Sequence, residues 1–212
     1  MASILIAPEL VAVGVVPELG ILTGTAMVGP SDELLTSSLR EAEAAASAAP
    51  TPPQEVAPIA ATRQAYRRLG KDPSRYRPSA EALLRRCRQG KALYLVNILV
   101  DLGNLLSLRT GISIGIYDRS RIDGEVVLRP GRAGETYAGV GKGDLNLDGL
   151  PLLSDDRGAF GSPTSDSERT RVEPGSVRFI MVLYGFAPAG ATAEHRDQAV
   201  ALLKDCGIAV DP

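Results

Sequence analysis

The chain of 212 residues carries 23 basic and 25 acidic side chains, a formal net charge of −2, and 44% hydrophobic residues. These values are typical of a globular protein with its own core, and they exclude a disordered chain. The single histidine and the two cysteines, which stand 119 positions apart, cannot form a zinc site of the usual spacing. We therefore expect no metal or other cofactor, and the few cysteines favour a cytoplasmic protein.

The charge is distributed unevenly along the chain. Residues 63–91 carry ten basic and two acidic side chains, whereas residues 1–62 carry one basic and seven acidic ones. A basic segment of this density attracts phosphate backbones through long-range electrostatics. The pattern alone leaves two interpretations open, a nucleic-acid contact or a solvated helical face that pairs with acidic parts of the same protein.

The first 52 residues predict strands followed by a helix. Between Ile4 and Val28, short β-branched runs are interrupted by proline and glycine, which indicates two or three short strands. The interruptions keep every apolar run below the length of about 18 residues that a membrane span needs, so we expect no membrane segment. Ser31 is a plausible N-cap for a helix that runs to about Ser47.

The segment Pro50-Thr51-Pro52-Pro53 is a stiff linker and the best internal boundary. We therefore divide the chain into an N-terminal strand-and-helix part, residues 1–52, and a main domain, residues 53–212, which belong to the same unit. Beyond the linker, the stretch from Val56 to Leu69 predicts a helix that Gly70 stops.

Hydrophobic spacing and glycine stops predict two more amphipathic helices. One opens at Pro78-Ser79 and ends at Gly90, and the last runs from about Ala193 to Cys206. Strand character predominates in four segments between them, Ile112–Ile116, Val126–Arg129, Leu145–Leu153 and Val177–Phe186. The dipeptides Asp123-Gly124 and Asp148-Gly149 predict hairpin turns.

The helix from about Asn97 to Thr110 is apolar on nearly all sides, which is typical of a buried helix. Asn97, Asp101 and Asn104 nevertheless recur at i, i+4 and i+7 and form a narrow polar stripe, with Ser107 beside it. Buried polar groups need partners, because an unpaired one costs about 1–3 kcal/mol. The stripe therefore either ties down neighbouring loop backbones or forms the floor of a polar pocket.

Three motifs resemble catalytic or ligand-binding sequences but lack the context that these need. Gly111–Gly115 matches the nucleophile elbow GxSxG, yet a helix precedes Ser113 and a strand follows it, the reverse of the required order. Asp144–Asp155 resembles a calcium loop without flanking helices or the final glutamate. Gly139–Gly143 resembles a phosphate loop, but no hydroxyl follows Lys142 to bind magnesium. We therefore expect none of these three sites.

Several blocks of the sequence, in the same order, resemble the stand-alone B3/B4 domain proteins. The blocks are Asp72–Arg86, Asn97–Asp101 with Asn104 and Ser107, Gly115–Asp118, and Gly158–Thr170. These proteins are relatives of the editing module in the beta subunit of bacterial phenylalanyl-tRNA synthetase, and the resemblance covers roughly residues 60–186. It implies an α+β fold with B3/B4-like sheets and packed helices, in which the strands are mixed and mostly antiparallel.

The resemblance implies hydrolysis of the ester bond of misacylated tRNA in trans, with aminoacylated tRNA as the partner. In the synthetase module, a pocket at the junction of the B3 and B4 halves removes mischarged tyrosine. Its helix carries an Asn…Val-Asp…Asn pattern, which Asn97, Val100-Asp101 and Asn104 match. The chain departs from the family where Gly115 replaces the pocket histidine and where Gly161-Ser162-Pro163 lacks a glutamate. The amino acid that is removed is therefore not implied.

The polar cluster that follows Phe160 is suited to position a water and to donate hydrogen bonds to an oxyanion, as ester hydrolysis requires. The predicted catalytic residues are Thr164, Ser165 and Asp166. The predicted substrate-binding residues are Asn97, Asp101, Asn104, Ser107, Gly115, Tyr117 and Arg169. The predicted nucleic-acid-binding residues are Arg63, Arg67, Arg68, Arg75 and Arg77, with Tyr66 and Tyr76 interleaved.

Other interpretations stay open from the sequence. The polar cluster is also compatible with a loop whose turns are capped by Ser and Asp side chains. Because two pocket residues of the synthetase are absent, a non-catalytic RNA- or tRNA-binding module is the second functional interpretation, and a small-molecule amino-acid binder is the third. The oligomeric state is not predicted.

Overall fold

The computed structural model describes residues 3–211. Its α-helices are α1 (Pro8–Ala12), α2 (Glu33–Ala48), α3 (Ala57–Arg68), α4 (Ser79–Arg88), α5 (Ile98–Thr110) and α6 (Ala193–Asp205). Its strands are β1 (Ile4–Ile6), β2 (Gly20–Val28), β3 (Ser113–Asp118), β4 (Val126–Pro130), β5 (Thr136–Gly139), β6 (Gly143–Asn146), β7 (Pro151–Asp155), β8 (Gly158–Gly161), β9 (Gly175–Tyr184) and β10 (Ala209–Val210). None of the helices in this range combines the length and the apolar character that crossing a bilayer requires.

The strands form two four-stranded sheets and one separate hairpin. The central sheet has the order β10-β2-β9-β3 and is antiparallel throughout. The outer sheet has the order β1-β4-β7-β8, and in it only β1 and β4 run parallel. β5 and β6 form the hairpin. This arrangement of helices and mixed, mostly antiparallel sheets confirms the predicted α+β fold class.

The long strand β9 separates two hydrophobic cores, because successive side chains of a strand point to opposite faces. Met181 and Leu183 belong to a core shared with α2, α4, α5 and α6. Val182 and Tyr184 belong to a second core shared with α3 and the outer sheet. The central sheet therefore lies between a layer of helices and the outer sheet. β1 and β2 add a strand from the first 52 residues to each of the two sheets.

The predicted helices α2 to α6 are observed with ends that differ by one or two residues. The N-cap prediction for α2 is wrong by one position, since the Asp32 carboxylate accepts from the backbone N–H of Leu35 at 2.7 Å. The Ser31 hydroxyl instead donates to Asp101 at 2.6 Å, because that buried carboxylate needs a donor. The short helix α1 occurs where a strand was predicted, and its first residue is Pro8, a position that suits proline.

Both hairpin predictions at Asp-Gly dipeptides are wrong. Asp123-Gly124 lies between β3 of the central sheet and β4 of the outer sheet, and Asp148-Gly149 lies between β6 and β7, which do not pair. The observed hairpins are β5–β6 and β7–β8. Gly124 and Gly149 do adopt positive φ angles of 72° and 68°. An Asp-Gly pair thus marks a tight change of direction, but it does not specify which strands pair.

Candidate functional site

A cavity of about 380 Å³ opens where α4, α5, β3, the β5–β6 hairpin and the loop after β8 meet. Its lining residues are Ser79, Ala82, Leu83, Arg86, Val100, Gly103, Asn104, Ser107, Ile114, Ile116, Val140, Lys142, Thr164, Ser165 and Asp166. We refer to it as the first cavity. Asn104 and Asp166, which are predicted site residues from distant parts of the chain, border it together.

The polar stripe of α5 has two different uses. Asn97 caps the helix, since its Oδ1 accepts from the backbone N–H of Val100 at 3.0 Å. The fully buried Asp101 accepts from the Ser31 hydroxyl at 2.6 Å and from the backbone N–H of Val96 at 3.0 Å. Asn104 and Ser107, which follow one and two turns later, border the first cavity. Asn97 therefore fixes the start of its own helix, and Asp101 holds the neighbouring loop segments. Asn104 and Ser107 face the space that a ligand needs.

Asp166 lies at the end of a buried chain of hydroxyl groups. The Tyr184 and Tyr117 hydroxyls are 2.6 Å apart, and the Tyr117 hydroxyl donates to Oδ1 of Asp166 at 2.6 Å. Both tyrosines are buried. Burial raises the pKa of Asp166 to about 7, against the opposing effect of the Tyr117 hydrogen bond. The carboxyl group therefore changes its protonation state near neutral pH, which suits a group that exchanges protons with a substrate.

The backbone at Gly115 and Gly161 makes room for the Tyr117 side chain. A Cβ atom on Gly115 would stand 2.0 Å from the Tyr117 hydroxyl, and one on Gly161 would stand 2.2 Å from it. The ring of Phe160 meets the Tyr117 ring edge-on, with 5.0 Å between the centroids. Gly115 and Tyr117, both predicted to bind substrate, thus lie behind the cavity wall, and Tyr117 reaches the site through its hydrogen bond to Asp166.

The two other predicted catalytic residues, Thr164 and Ser165, lie in a turn built around Ser162. The Ser162 hydroxyl donates to the carbonyl of Ser165 at 2.9 Å and accepts from the backbone N–H groups of Thr164 and Ser165 at 3.3 Å. The Thr164 hydroxyl and the buried Tyr66 hydroxyl are 2.8 Å apart. This hydrogen bonding fixes the turn, so that Thr164, Ser165 and Asp166 hold a defined position beside the cavity.

Lys142 lies at the tip of the β5–β6 hairpin and borders the first cavity, although the sequence did not predict it as a site residue. Its Nζ donates to the carbonyl of Thr164 at 3.4 Å. Burial lowers the pKa of Lys142, and the nearby Asp166 acts in the opposite direction. The hairpin is held by Val140, whose N–H donates to the Asp166 carbonyl at 2.9 Å. The glycine-rich motif that resembled a phosphate loop is therefore the turn of this hairpin.

A second cavity of about 590 Å³ adjoins the first. The two share Val100, Ile116, Val140 and Asp166. The second cavity is also lined by Val96, Asn97, Arg171, Val172, Glu173 and Pro174. Asp166 therefore lies at the border between two adjoining cavities, which together are large enough for a ligand with two parts.

Arg169, predicted to bind substrate, does not line either cavity. Its guanidinium donates to both carboxylate oxygens of Asp155, at 3.0 and 2.9 Å, and to the backbone carbonyls of Arg121 and Gly158. The Asp155 side chain is fully buried. Burial alone would raise its pKa, but the contacts with Arg169 and the backbone N–H groups of Asp123 and Arg157 together lower the pKa below its ordinary value. This bidentate pair joins the loop after β8 to the outer sheet.

The predicted nucleic-acid-binding arginines fall into two groups. Arg63 donates to the fully buried Glu81 carboxylate at 2.7 Å and to the carbonyl of Pro73, and Arg68 donates to the carbonyl of Gly14. Three others are exposed and make no side-chain hydrogen bond or ion pair within residues 3–211. These are Arg67, Arg75 and Arg77. They are the members of the set whose charge is available to a phosphate backbone.

The described part of the chain also contains no group of three or more His, Cys, Asp or Glu side chains placed to hold a metal ion. Ser113 is buried and accepts from the backbone N–H of Ala80 at 3.3 Å, so its hydroxyl supports the start of α4. His195 forms a capping box with Thr192 at the start of α6.

Comparison with known proteins agrees with the predicted resemblance. No curated protein matches the chain. The structure is similar to a crystal structure of an N-terminal fragment of the phenylalanyl-tRNA synthetase beta subunit from Pyrococcus horikoshii, with 18% sequence identity and a TM-score of 0.45. That match covers 99% of this chain and 50% of the fragment, so the chain spans about half of the fragment's length. The model of the B3/4 domain family matches residues 61–201. The chain therefore belongs to the B3/4 domain family.

Proposed function

We propose that the protein is an aminoacyl-tRNA deacylase, which hydrolyses the ester bond of a misacylated tRNA in trans. The observation that carries the proposal is the first cavity, which Asn104, Thr164, Ser165 and Asp166 border together. Membership of the B3/4 domain family, whose model matches residues 61–201, supports a role connected with tRNA.

In the proposed reaction, water attacks the carbonyl carbon of the ester, and the bond to the terminal ribose oxygen breaks. Asp166 accepts a proton from the water and returns it to the ribose oxygen as that oxygen leaves, so that free amino acid and deacylated tRNA are formed. A base with a pKa near the working pH serves this role best, and burial raises the pKa of Asp166 to about 7. Tyr117 holds the Asp166 carboxylate in position through its hydrogen bond at 2.6 Å.

The negative charge that develops on the carbonyl oxygen needs hydrogen-bond donors. Asn104 and Lys142 border the same cavity as Asp166 and can supply an amide N–H and an ammonium N–H. The apolar side of the cavity, with Leu83, Ile114 and Ile116, suits the side chain of an aminoacyl group. A terminal ribose hydroxyl of the tRNA can assist the attack, so a protein nucleophile is not required.

A non-catalytic RNA-binding module is the second candidate. One observation favours it, because the residues that line the two cavities include no histidine, and Glu173 is their one carboxylate besides Asp166. Glu173 is paired with Arg171 at 3.0 Å. Under this alternative the cavities bind the aminoacyl end and do not hydrolyse it.

The decisive experiment is incubation of the purified protein with tRNAs charged with radiolabelled tyrosine and with other non-cognate amino acids. The deacylase proposal predicts release of free amino acid well above the spontaneous rate for at least one of them. An Asp166→Ala protein should lose this activity, whereas Asp144→Ala, which removes an exposed carboxylate on β6, should keep it.

Gel shifts with the same tRNAs at graded salt separate the remaining alternatives. Salt-sensitive binding without release of amino acid would support the RNA-binding module and contradict the deacylase. Binding of free amino acids without any binding of tRNA would contradict both and leave the small-molecule binder.

A further inference from the structure

The aromatic residues of the protein are almost all inside it. The chain has six tyrosines and three phenylalanines, and all nine lie within residues 3–211. Tyr94 is the one exposed member, with 75% of its surface accessible. Tyr66 is buried against Thr164, and the Lys71 ammonium lies over the Tyr76 ring at 3.8 Å. Tyr76 is also half-buried and packs against the core of Tyr66 and Leu147, so the two tyrosines of the basic segment are less accessible to a base than Tyr94 is.

Tyr94 belongs to the segment Lys91–Val96, which joins α4 to α5 without helix or strand. The next two residues, Leu95 and Val96, are also exposed, at 46% and 62%. Three consecutive exposed apolar residues favour association with a partner, and such a run is typical of a binding surface.

Two backbone hydrogen bonds and one buried side chain hold the segment in a defined conformation. The backbone N–H of Leu93 donates to Glu43 at 2.7 Å, and the backbone N–H of Val96 donates to the buried Asp101 at 3.0 Å. The Leu93 side chain is buried in the core below. A surface that is already ordered loses little conformational entropy when it binds a partner. The exposed run is therefore prepared for binding.

Arg86 connects Tyr94 to the first cavity. Its guanidinium lies 4.4 Å from the centre of the Tyr94 ring, and its Nε donates to the carbonyl of Ala92 at 2.9 Å. Because Tyr94 remains 75% exposed with Arg86 on one face, its other face is open to solvent. Arg86 borders the first cavity and Val96 borders the second. The exposed ring thus contacts a residue that lines the first cavity and lies two positions before one that lines the second.

We propose that Tyr94, supported by Arg86, is a stacking platform for an unpaired base of the RNA whose ester end enters the first cavity. The proposal rests on the proposed function and adds the place where the single-stranded end of the substrate is held. Aromatic rings and arginine planes are the groups on which unpaired bases stack. Arg86 lies against the ring, the exposed Lys91 stands three positions before it in the chain, and Lys142 lines the same cavity as Arg86. Their positive charges are available to the adjoining phosphates.

The test measures the affinity for an uncharged, fluorescently labelled oligoribonucleotide with the sequence ACCA. Tyr94→Ala should weaken binding about tenfold, because stacking of one base contributes that much to affinity. Tyr94→Phe keeps the ring and should bind within about twofold of the natural protein. Val11→Ala, which removes an exposed apolar side chain on α1, is the matched control and should have no effect.

Equal affinity of the Tyr94→Ala and natural proteins would overturn the platform. Concentration-dependent dimers in sedimentation that Tyr94→Ala abolishes, with RNA affinity unchanged, would overturn it in favour of a contact between two copies. The probe carries no ester, so a platform effect without any deacylation would refute only the proposed function. Conversely, deacylation by Tyr94→Ala at the natural kcat/KM would refute only the platform.

Discussion

The phenol ring of Tyr117 occupies the space that a side chain at position 115 would need. A Cβ on Gly115 would approach the Tyr117 hydroxyl to 2.0 Å, so a larger residue there requires the ring to move. Glycine at 115 and tyrosine at 117 therefore belong together, and the hydroxyl that glycine admits is the one that binds Asp166.

This coupling predicts that Gly115→Ala destabilises the protein. Overpacking of a well-filled core costs about 1–3 kcal/mol, and the free energy of unfolding in urea should fall by that amount. Gly29→Ala is the control, because a Cβ on Gly29 would meet nothing within 4 Å and this residue has no positive φ. Equal urea midpoints for the Gly115→Ala and natural proteins would contradict this coupling, because they would show that Tyr117 moves aside without a loss of stability.

The raised pKa of Asp166 predicts a pH-dependent effect on stability. Its ordinary pKa is 3.8 and its pKa in the folded protein is about 7, so the folded state binds more protons between these values. Ionisation of Asp166 therefore lowers stability as the pH rises from about 4 to about 7. Asp166→Asn removes this loss, and its melting temperature relative to the natural protein should be higher at pH 8 than at pH 4. A difference that does not change with pH would contradict the buried, proton-binding carboxyl group.

The sequence predicted some of the residues that border the first cavity and missed others. Asn104 stands out as a polar residue in an apolar helix, Asp166 belongs to the polar cluster that follows Phe160, and both border the first cavity. Lys142 could not be predicted, since its place depends on how the β5–β6 hairpin is held against the loop of Asp166. The sequence predicts Arg169 as a substrate-binding residue, but the structure shows that its guanidinium is paired with Asp155.

At the scale of elements, α3 and α4 are joined by a buried carboxylate. Glu81 on α4 is fully buried and pairs with Arg63 at 2.7 Å and with Arg85 at 2.8 Å. Arg63 on α3 therefore pairs with a buried carboxylate of the same protein, although the sequence pattern predicts it as a nucleic-acid contact. Charge density along a chain does not distinguish an arginine that pairs internally from one that is free.

Arg63→Ala should therefore reduce stability more than it reduces RNA binding. Removing one partner of a buried ion pair leaves part of the carboxylate uncompensated, and thermal or urea unfolding should show a loss of up to about 3 kcal/mol. Arg67→Ala, one turn further along the exposed face, should change stability by less than about 0.5 kcal/mol. An Arg63→Ala protein with unchanged stability and much weaker RNA binding would reverse this assignment.

Helices could be predicted from this sequence more fully than strand pairing. The end signals of α5, an Asn97 cap and Gly111 with a φ of 72°, are local, so the sequence specifies the helix by itself. Strand order is not local, because the neighbours of β4 are β1 and β7, which come from opposite sides of it in the chain. Asp-Gly signals could therefore locate bends correctly and still assign them to hairpins that do not exist.

At the scale of the whole molecule, the net charge of −2 conceals exposed basic residues that are free to meet RNA. Arg67, Arg75 and Arg77 are exposed, and under the proposed function a phosphate contact from each would contribute to the salt dependence of tRNA binding. The triple alanine variant should bind tRNA more weakly, and the slope of log Kd against log salt should decrease by up to about 3. Retention of the natural slope would place the RNA on another face.

Single-turnover deacylation as a function of pH tests whether Asp166 acts as the base on an ester held in the first cavity. After subtraction of spontaneous hydrolysis, the rate with the natural protein should rise through a midpoint near pH 7 and then level off, which follows from the pKa of Asp166. Asp166→Asn should remove this enzyme-dependent rise. A natural protein without deacylation would refute the deacylase proposal, and an Asp166→Asn protein with the full rate and the same midpoint would show that Asp166 is not the base.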